Sequence, residues 1–282
     1  MFKRQSTLRS PELAKKKKKQ FKIKSSVAVF VFIVILAIPP IISHLPALTI
    51  QNIEITGNAV LTQEELRDYV KEKISGNYFK LFSKSNIFIY PKSKTEKSIM
   101  QDFFRLESVN FSFKNLKSIA VHVEERKPFA VWCSSEIVDK TVVFHDECYF
   151  IDKEGFVFSQ APDFSGNVYV RYYGLITLAD TSASRQFFPS EEFKKVSSFI
   201  TQIDSLGFHI TDAVLYEDSD VELYTVSGGK ILLTTREDFS VTFENFQSLL
   251  GDKTSVSDKS NFIEKLDYVD LRFGKKLYFK LR

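Results

Sequence analysis

The stretch "KLDYVDLRFGKKLYFKLR", residues 265–282, alternates apolar and polar residues on both sides of a Gly-Lys-Lys segment. A period of two is typical of β-strands, and the glycine between the two runs is typical of a hairpin turn. A three-residue loop at residues 274–276 would pair Phe273 with Leu277 and place the apolar side chains on one face. The stretch therefore predicts a β-hairpin that packs one face on a core.

The second strand of this hairpin, residues 277–282, is followed by no further strand in the sequence. We therefore expect it to form an exposed sheet edge. In the predicted register Asp270 lies opposite Lys280, which is a favourable cross-strand charge pair. Two alternatives stay open for the edge. Lys280 and Arg282 protect it against aggregation, or it receives a partner strand by β-augmentation.

Charge is distributed unevenly along the chain. The net charge of the 282 residues is +4, yet the first 24 residues alone hold ten Lys and Arg and only one acid. Residues 1–24 are thus a basic tail, and the rest of the chain is slightly acidic. A body of that sign does not neutralise phosphates, so we expect no nucleic-acid partner.

Residues 25–45, "SSVAVFVFIVILAIPPIISHL", contain no Lys, Arg, Asp or Glu. About 20 apolar residues cross a bilayer as a helix, so the segment predicts one transmembrane helix. The preceding lysines place the N-terminus in the cytoplasm and the body outside, a single-pass type II arrangement in the plasma membrane. The alternatives are a cleaved signal peptide, disfavoured by the long basic region and the lack of an A-x-A site, and a lysine-rich nucleic-acid tail. We interpret the lysines as a topology signal that also contacts anionic lipid.

The chain has two cysteines, Cys133 and Cys148, and both follow the membrane segment. A disulfide between them suits an oxidising compartment and makes this pair the disulfide candidate. Free thiols and a metal site stay open, the latter because His145, Asp146 and Glu147 precede Cys148. No second Cys/His cluster accompanies these residues, so we expect no metal.

Residues 48–126 read as strand, helix, helix, strand, strand. Residues 48–56 alternate apolar and polar side chains, as do residues 108–113 and 118–125. Capping boxes at residues 62–65 and 93–96 precede apolar residues at helical spacing. This order predicts one small β-α-α-β-β domain.

This order resembles the POTRA domain of exported, membrane-anchored proteins. The segment "VEERKPFAVW" at residues 123–132 resembles the E-R-x-P-x-A-x-W junction of the FtsQ/DivIB family of bacterial cell division proteins. "CYFIDKEGFVF" at residues 148–158 is similar to the family's Y-L-V-D-x-x-G-x-V-F, and residues 268–273 match its Y-V-D-L-R plus an aromatic. The cysteine pair and the stretch at residues 159–188 depart from the family pattern.

The resemblance implies an α+β fold in four parts. Residues 1–24 would be a basic cytoplasmic tail and residues 25–45 a single N-terminal transmembrane helix. A POTRA domain would occupy residues 48–126. A mixed β-sheet domain with helices and a C-terminal hairpin would occupy residues 127–282.

The resemblance also implies a function at the division septum. The chain would be a non-enzymatic scaffold of the divisome that links early and late division proteins and supports septal peptidoglycan synthesis. FtsB and FtsL would bind the C-terminal edge strand, and other divisome proteins would bind the POTRA domain. Arg272 would meet an acidic group of the partner, and Phe273 and Tyr278 would supply apolar contacts. The full set of candidate partner-binding residues is Tyr268, Asp270, Arg272, Phe273, Leu277, Tyr278 and Lys280.

The sequence contains no recognisable catalytic motif. There is no G-x-S-x-G, no H-E-x-x-H and no P-loop, and the four histidines are scattered. We therefore expect no enzyme activity, no cofactor and no small-molecule substrate. Two other functions remain as alternatives: a POTRA-containing factor in outer-membrane protein assembly or secretion, and a membrane-anchored cell-wall enzyme.

Overall fold

The computed structural model describes residues 11–138, 141–174 and 185–282. The start of the basic tail and the middle of the divergent stretch at 159–188 lie outside these residues. The chain divides into two compact units. The first ends at Ile99 and also takes in Val109–Val123, and the second takes in Met100–Ser108 and Glu124–Arg282. The boundaries predicted at residues 48–126 and 127–282 stay predictions.

A long helix, α1 (Pro11–Ser43), opens the described residues. Its part from Lys15 to Ser43 contains an apolar stretch and is long enough, by composition and length, to cross a membrane. The helix begins earlier than the predicted segment because lysine is a good helix former. The single N-terminal apolar helix of the predicted fold class is therefore confirmed.

The predicted β-α-α-β-β elements follow α1 in that order, with two short strands inserted between the two helices. The elements are β1 (Asn52–Thr56), α2 (Gln63–Lys73), β2 (Asn77–Tyr78), β3 (Phe82–Ser83), α3 (Lys92–Asp102), β4 (Leu106–Asn115) and β5 (Ser118–Glu125). Strands β1, β5 and β4 form a sheet in that order, and β1 runs parallel to β5 with Ile53 opposite Ile119. Leu66 of α2 and Ile99 of α3 are fully buried, so both helices contribute to the core. The two-residue strands β2 and β3 form a hairpin that the sequence pattern did not predict.

One of the two predicted helix caps is present. Thr62 Oγ1 accepts a hydrogen bond from the backbone N–H of Glu65 (3.2 Å), as a capping box requires. The second prediction is wrong, because α3 begins at Lys92 and Ser93 lies inside it. Glu96 accepts instead from the backbone N–H of Phe111 on β4, at 3.3 Å. This tertiary contact replaces the local one.

The second unit is built on one sheet of nine strands. Its further elements are β6 (Ala130–Val138), β7 (Thr141–Ile151), β8 (Val157–Gln160), β9 (Arg171–Tyr173), α4 (Ser190–Ser205), β10 (Ile210–Leu215), β11 (Asp220–Thr225), β12 (Lys230–Thr234), α5 (Phe239–Gly251), α6 (Lys259–Lys265), β13 (Leu266–Phe273) and β14 (Lys276–Leu281). The strand order is β14-β13-β12-β11-β10-β9-β6-β7-β8. The pairs β6–β9, β9–β10 and β12–β13 are parallel. The predicted α+β class with a mixed sheet is confirmed.

The main core joins helices α4, α5 and α6 to the sheet. One face of α4 is buried, with Phe193, Val196 and Ile203 fully enclosed. Phe246 of α5 and Phe262 of α6 are buried in the same cluster. This core fixes the strands to which the terminal hairpin is attached.

A smaller cluster that includes Val131, Cys133 and Tyr216 lies apart from the main core. Cys133 of β6 lies opposite Cys148 of β7, with Cα atoms 4.0 Å apart, and a disulfide joins them. Cys133 is completely buried. In the part of the chain that is described, no group of three or more His, Cys, Asp and Glu side chains is placed to hold a metal ion.

Candidate partner-binding edge

The terminal hairpin consists of β13 and β14, and its register differs from the predicted one. Phe273 pairs with Lys276 across a two-residue turn, and Val269 pairs with Phe279. Gly274 begins the turn with φ +63°, a conformation that costs glycine little. The predicted three-residue loop and its Phe273–Leu277 pair are therefore wrong.

Two irregularities in β13 reconcile this short turn with an apolar inner face. The register shifts between Asp270 and Phe273 and again between Leu266 and Tyr268. Each shift sets one extra residue of β13 against β14, as in a β-bulge. Without a shift, the two-residue turn would send the apolar side chains of the two strands to opposite faces. The extra residues bring Val269 and Phe279 together.

The inner face of β14 is part of the main core. Leu277 and Phe279 are half-buried against that cluster, and the Phe279 ring lies 5.3 Å from the Phe262 ring. Leu277 was a candidate partner contact, and the structure places its side chain against the protein's own core. Packing of this face attaches the edge strand firmly to the unit.

Three aromatic side chains of the terminal hairpin are exposed to solvent. Phe273 is 56% exposed and Tyr278 is 51% exposed, and their rings meet edge to face at 5.5 Å. Tyr268 of β13 is also exposed. Exposed aromatic rings held in a fixed geometry are the kind of residue that dominates protein–protein contacts.

Arg272 is held by two carboxylates of its own domain. Its Nε and Nη2 donate to the two carboxylate oxygens of Asp270 (2.9 and 2.7 Å), a bidentate arrangement. Its Nη1 donates to Asp220 on β11 (2.8 Å). The predicted Asp270–Lys280 pair is wrong, since Lys280 donates to Asp267 instead (2.8 Å). Asp270 is only 7% exposed, which explains why it needs the guanidinium.

These contacts shift the ionisation of both partners. Burial alone would raise the pKa of the Asp270 carboxyl, but the hydrogen bonds from the Arg272 side chain and backbone and the Arg272 charge together hold that pKa below its ordinary value. The hydrogen bond to Asp270 raises the pKa of Arg272. In a second ion pair on the same hairpin, the hydrogen bond from Lys280 lowers the pKa of Asp267.

A pH dependence of stability follows from the lowered pKa of Asp270. A carboxyl whose folded pKa lies below its unfolded value, about 3.9, stabilises the protein above that value and loses the contribution as pH falls through the folded pKa. We expect the urea midpoint, followed by the fluorescence of Trp132, to fall as the pH drops below about 4. Asp270→Asn should flatten this decline, whereas equal declines in the two proteins would contradict the assignment.

Strand β14 ends the sheet, and no strand among the described residues pairs with its outer side. The backbone N–H of Arg282 donates to the carbonyl of Lys265, so alternate residues of β14 face β13. By the same alternation the backbone groups of Leu277, Phe279 and Leu281 face outward. The structure thus has a row of backbone donors and acceptors along one open edge.

The two basic residues that could protect this edge are engaged elsewhere. The Arg282 guanidinium donates to the carbonyl oxygens of Ser227 (2.6 Å) and Leu266 (3.1 Å). Lys280 is bonded to Asp267. Both side chains stabilise the hairpin itself, which weakens the protective alternative. The sequence pattern did not indicate Asp220, Asp267 or Ser227, because these partners depend on strand order and on the bulges.

Comparison with known families identifies a domain within the second unit. The model of the C-terminal domain of the cell division proteins FtsQ and DivIB matches residues 142–272. Residues 142–272 therefore have the C-terminal domain of the FtsQ/DivIB cell division proteins. A search of curated proteins finds no match.

The matched FtsQ/DivIB domain supports a role in cell division for this protein. The matched segment contains the Asp220–Arg272–Asp270 network and ends at Arg272. Strand β14 follows the matched segment, so its role is inferred from the sheet order and its exposed backbone.

Proposed function

We propose that this protein is a non-enzymatic scaffold of the divisome whose strand β14 receives a strand from a partner. The observation that carries the proposal is the position of β14 at the end of a nine-stranded sheet, with an unpaired outer side among the described residues. An added strand would form main-chain hydrogen bonds with this edge, and those bonds would supply affinity without requiring a particular partner sequence. Specificity must then come from side chains beside the edge.

The exposed aromatic residues supply that specificity. Phe273 and Tyr278 form an apolar surface next to the turn, and Tyr268 is exposed farther along β13. Three N–H groups of Arg272 bond to Asp270 and Asp220, and the other two N–H groups of the guanidinium are available for an acidic group of the partner. Arg272 therefore holds β13 in place and can also contact the partner.

The partner we propose is the pair FtsB and FtsL. Binding at β14 would connect them to this membrane-anchored protein at the division septum and support septal peptidoglycan synthesis. The first unit would contact other division proteins. The lysine-rich start of α1 would lie in the cytoplasm and both units outside it, as expected from the positive-inside bias. The family match favours this role over outer-membrane assembly or secretion.

The test is binding of the full chain in nanodiscs to the FtsB/FtsL complex of the same organism. Replacing Phe273 and Tyr278 together by Ala should weaken binding about 30-fold, because two exposed aromatic contacts contribute about 2 kcal/mol. A matched control replaces the exposed Phe113 and Leu116 of the first unit by Ala and should leave the affinity unchanged. Equal affinities for wild type and the Phe273/Tyr278 variant would contradict the proposal.

Point variants are preferable to deletion of the edge strand. Leu277 and Phe279 pack on the main core, and β14 lies directly beside Val269, which is fully buried. Deleting β14 would expose this apolar surface and leave β13 as a new open edge. Loss of binding in such a truncation would therefore not distinguish a missing interface from a damaged fold.

A further inference from the structure

Four exposed apolar side chains lie in the β2–β3 hairpin of the first unit and in the short segment that follows it. We call Phe79, Leu81, Phe88 and Ile89 the hairpin patch. Phe79 is 90% exposed and Phe88 is 69% exposed, and Leu81 and Ile89 are also exposed. Apolar side chains grouped in this way on a surface indicate a site of interaction with another apolar body.

The hairpin patch is fastened to the end of α1. The backbone N–H of Ser83 donates to Ser43 Oγ (3.2 Å), and the amide of Asn86 donates to the carbonyl of Ser43 (3.2 Å). His44 Nε2 lies 3.1 Å from the carbonyl oxygen of Leu81. Ser43 and Asn86 are both buried by this contact. The hairpin is therefore positioned directly at the last turn of the apolar helix.

The position of the hairpin sets its depth relative to a bilayer. The apolar part of α1 ends at Ser43, and a helix of about 20 residues spans the hydrocarbon core. Ser43 would then lie close to the boundary between hydrocarbon and headgroups. Phe79 is two residues from Leu81, a distance of at most about 7 Å along the backbone, so its ring lies near the same boundary.

The backbone of the hairpin turn shows that this exposure is built into the structure. Phe79 and Lys80 have φ angles of +49° and +61°, a backbone conformation that residues other than glycine rarely adopt. The turn is thus held in a costly backbone conformation while the Phe79 side chain stays 90% exposed. Lys80 in the turn and Lys84 after it add positive charge beside the patch, and anionic headgroups attract such charge.

From these observations we propose that the hairpin patch inserts into the headgroup region of the membrane that holds α1. The partner is the phospholipid bilayer itself. Insertion would give the first unit a second membrane contact besides the helix and would restrict its motion at the membrane surface. The proposal rests on α1 being the membrane anchor and is independent of the partner that binds β14.

Fluorescence quenching by brominated lipid tests this insertion. The full chain is reconstituted in phosphatidylcholine/phosphatidylglycerol vesicles, with Phe79→Trp as the probe and the signal of wild-type Trp132 subtracted. The control is Val60→Trp, because Val60 is comparably accessible, at 64% exposed, and follows the end of β1 remote from α1. We expect bromolipid to quench the residue-79 probe at least threefold more than the residue-60 probe, with blue-shifted emission.

The possible outcomes distinguish membrane insertion of the hairpin patch from membrane anchoring by α1. Equal quenching of the two probes, in a chain that floats with the vesicles, would overturn the insertion and leave the anchor intact. A chain that does not float with the vesicles would overturn both. Lys80→Glu combined with Lys84→Glu should reduce quenching of the residue-79 probe in anionic vesicles and leave it unchanged in pure phosphatidylcholine. Unchanged quenching in anionic vesicles would overturn the role given to the lysines.

Discussion

Arg272→Ala should lower the free energy of unfolding of the second unit by about 3 kcal/mol, because it leaves the buried Asp270 carboxylate without its charge partner. The variant removes the bidentate bonds to Asp270 and the bond to Asp220 that joins β13 to β11. Urea unfolding followed by fluorescence measures the loss. Trp132 is the single tryptophan of the chain and is buried in this unit, so it reports on this unit alone.

Lys280→Ala is the matched control for this prediction. Lys280 also forms an ion pair on the hairpin, with Asp267, but its side chain is largely exposed. Solvent screens an exposed ion pair, so the control should unfold almost as wild type does. If Arg272→Ala unfolded at the wild-type urea concentration and yet lost partner binding, Arg272 would be a partner contact and its structural role would be refuted.

Replacing both cysteines by Ala should lower the free energy of unfolding by about 3 kcal/mol. The two cysteines are separated by 15 residues. A bond that closes a loop of this size lowers the conformational entropy of the unfolded chain, which stabilises the folded state by about 3 kcal/mol. Alanine is the appropriate substitute because Cys133 is fully buried, where a serine hydroxyl would lack a partner. The urea midpoint of the second unit measures the effect.

A reducing agent provides the control for the disulfide. Dithiothreitol should shift the wild-type midpoint toward that of the double Ala variant and should leave the variant itself unchanged. A thiol count under denaturing conditions before reduction should give no free cysteine. Two free thiols in the untreated protein, or a wild-type midpoint that does not respond to full reduction, would contradict the disulfide as a stabilising bond.

Features that depend on local periodicity could be predicted from the sequence. The strands β4 and β5 follow from side-chain spacing alone, because burial of one face requires that spacing. The cap at Thr62 also depends on local sequence, and its prediction is confirmed. The β2–β3 hairpin was missed, since strands of two residues have no measurable period. The cap at Ser93 failed because α3 begins before it.

The terminal hairpin shows where such prediction stops. Its existence and its position at the sheet edge followed from the pattern, but its register did not. Register here depends on the shifts in β13, which accompany packing against Phe262 and bonding of Arg272 to Asp220 on β11. These are contacts between residues distant in sequence. The predicted role of Arg272 is incomplete for the same reason. No local sequence pattern connects Arg272 to Asp220, which lies 52 residues away.

Hydrogen exchange of the β14 amides with and without saturating FtsB/FtsL tests directly whether a partner strand adds to β14. The backbone groups of Leu277, Phe279 and Leu281 face outward, so strand addition should slow exchange of these amides by about tenfold or more. The amides of Tyr278 and Lys280, which face β13, should be protected in both states. Unchanged exchange at all three outward amides in a fully formed complex would show that the partner binds elsewhere and would contradict the account.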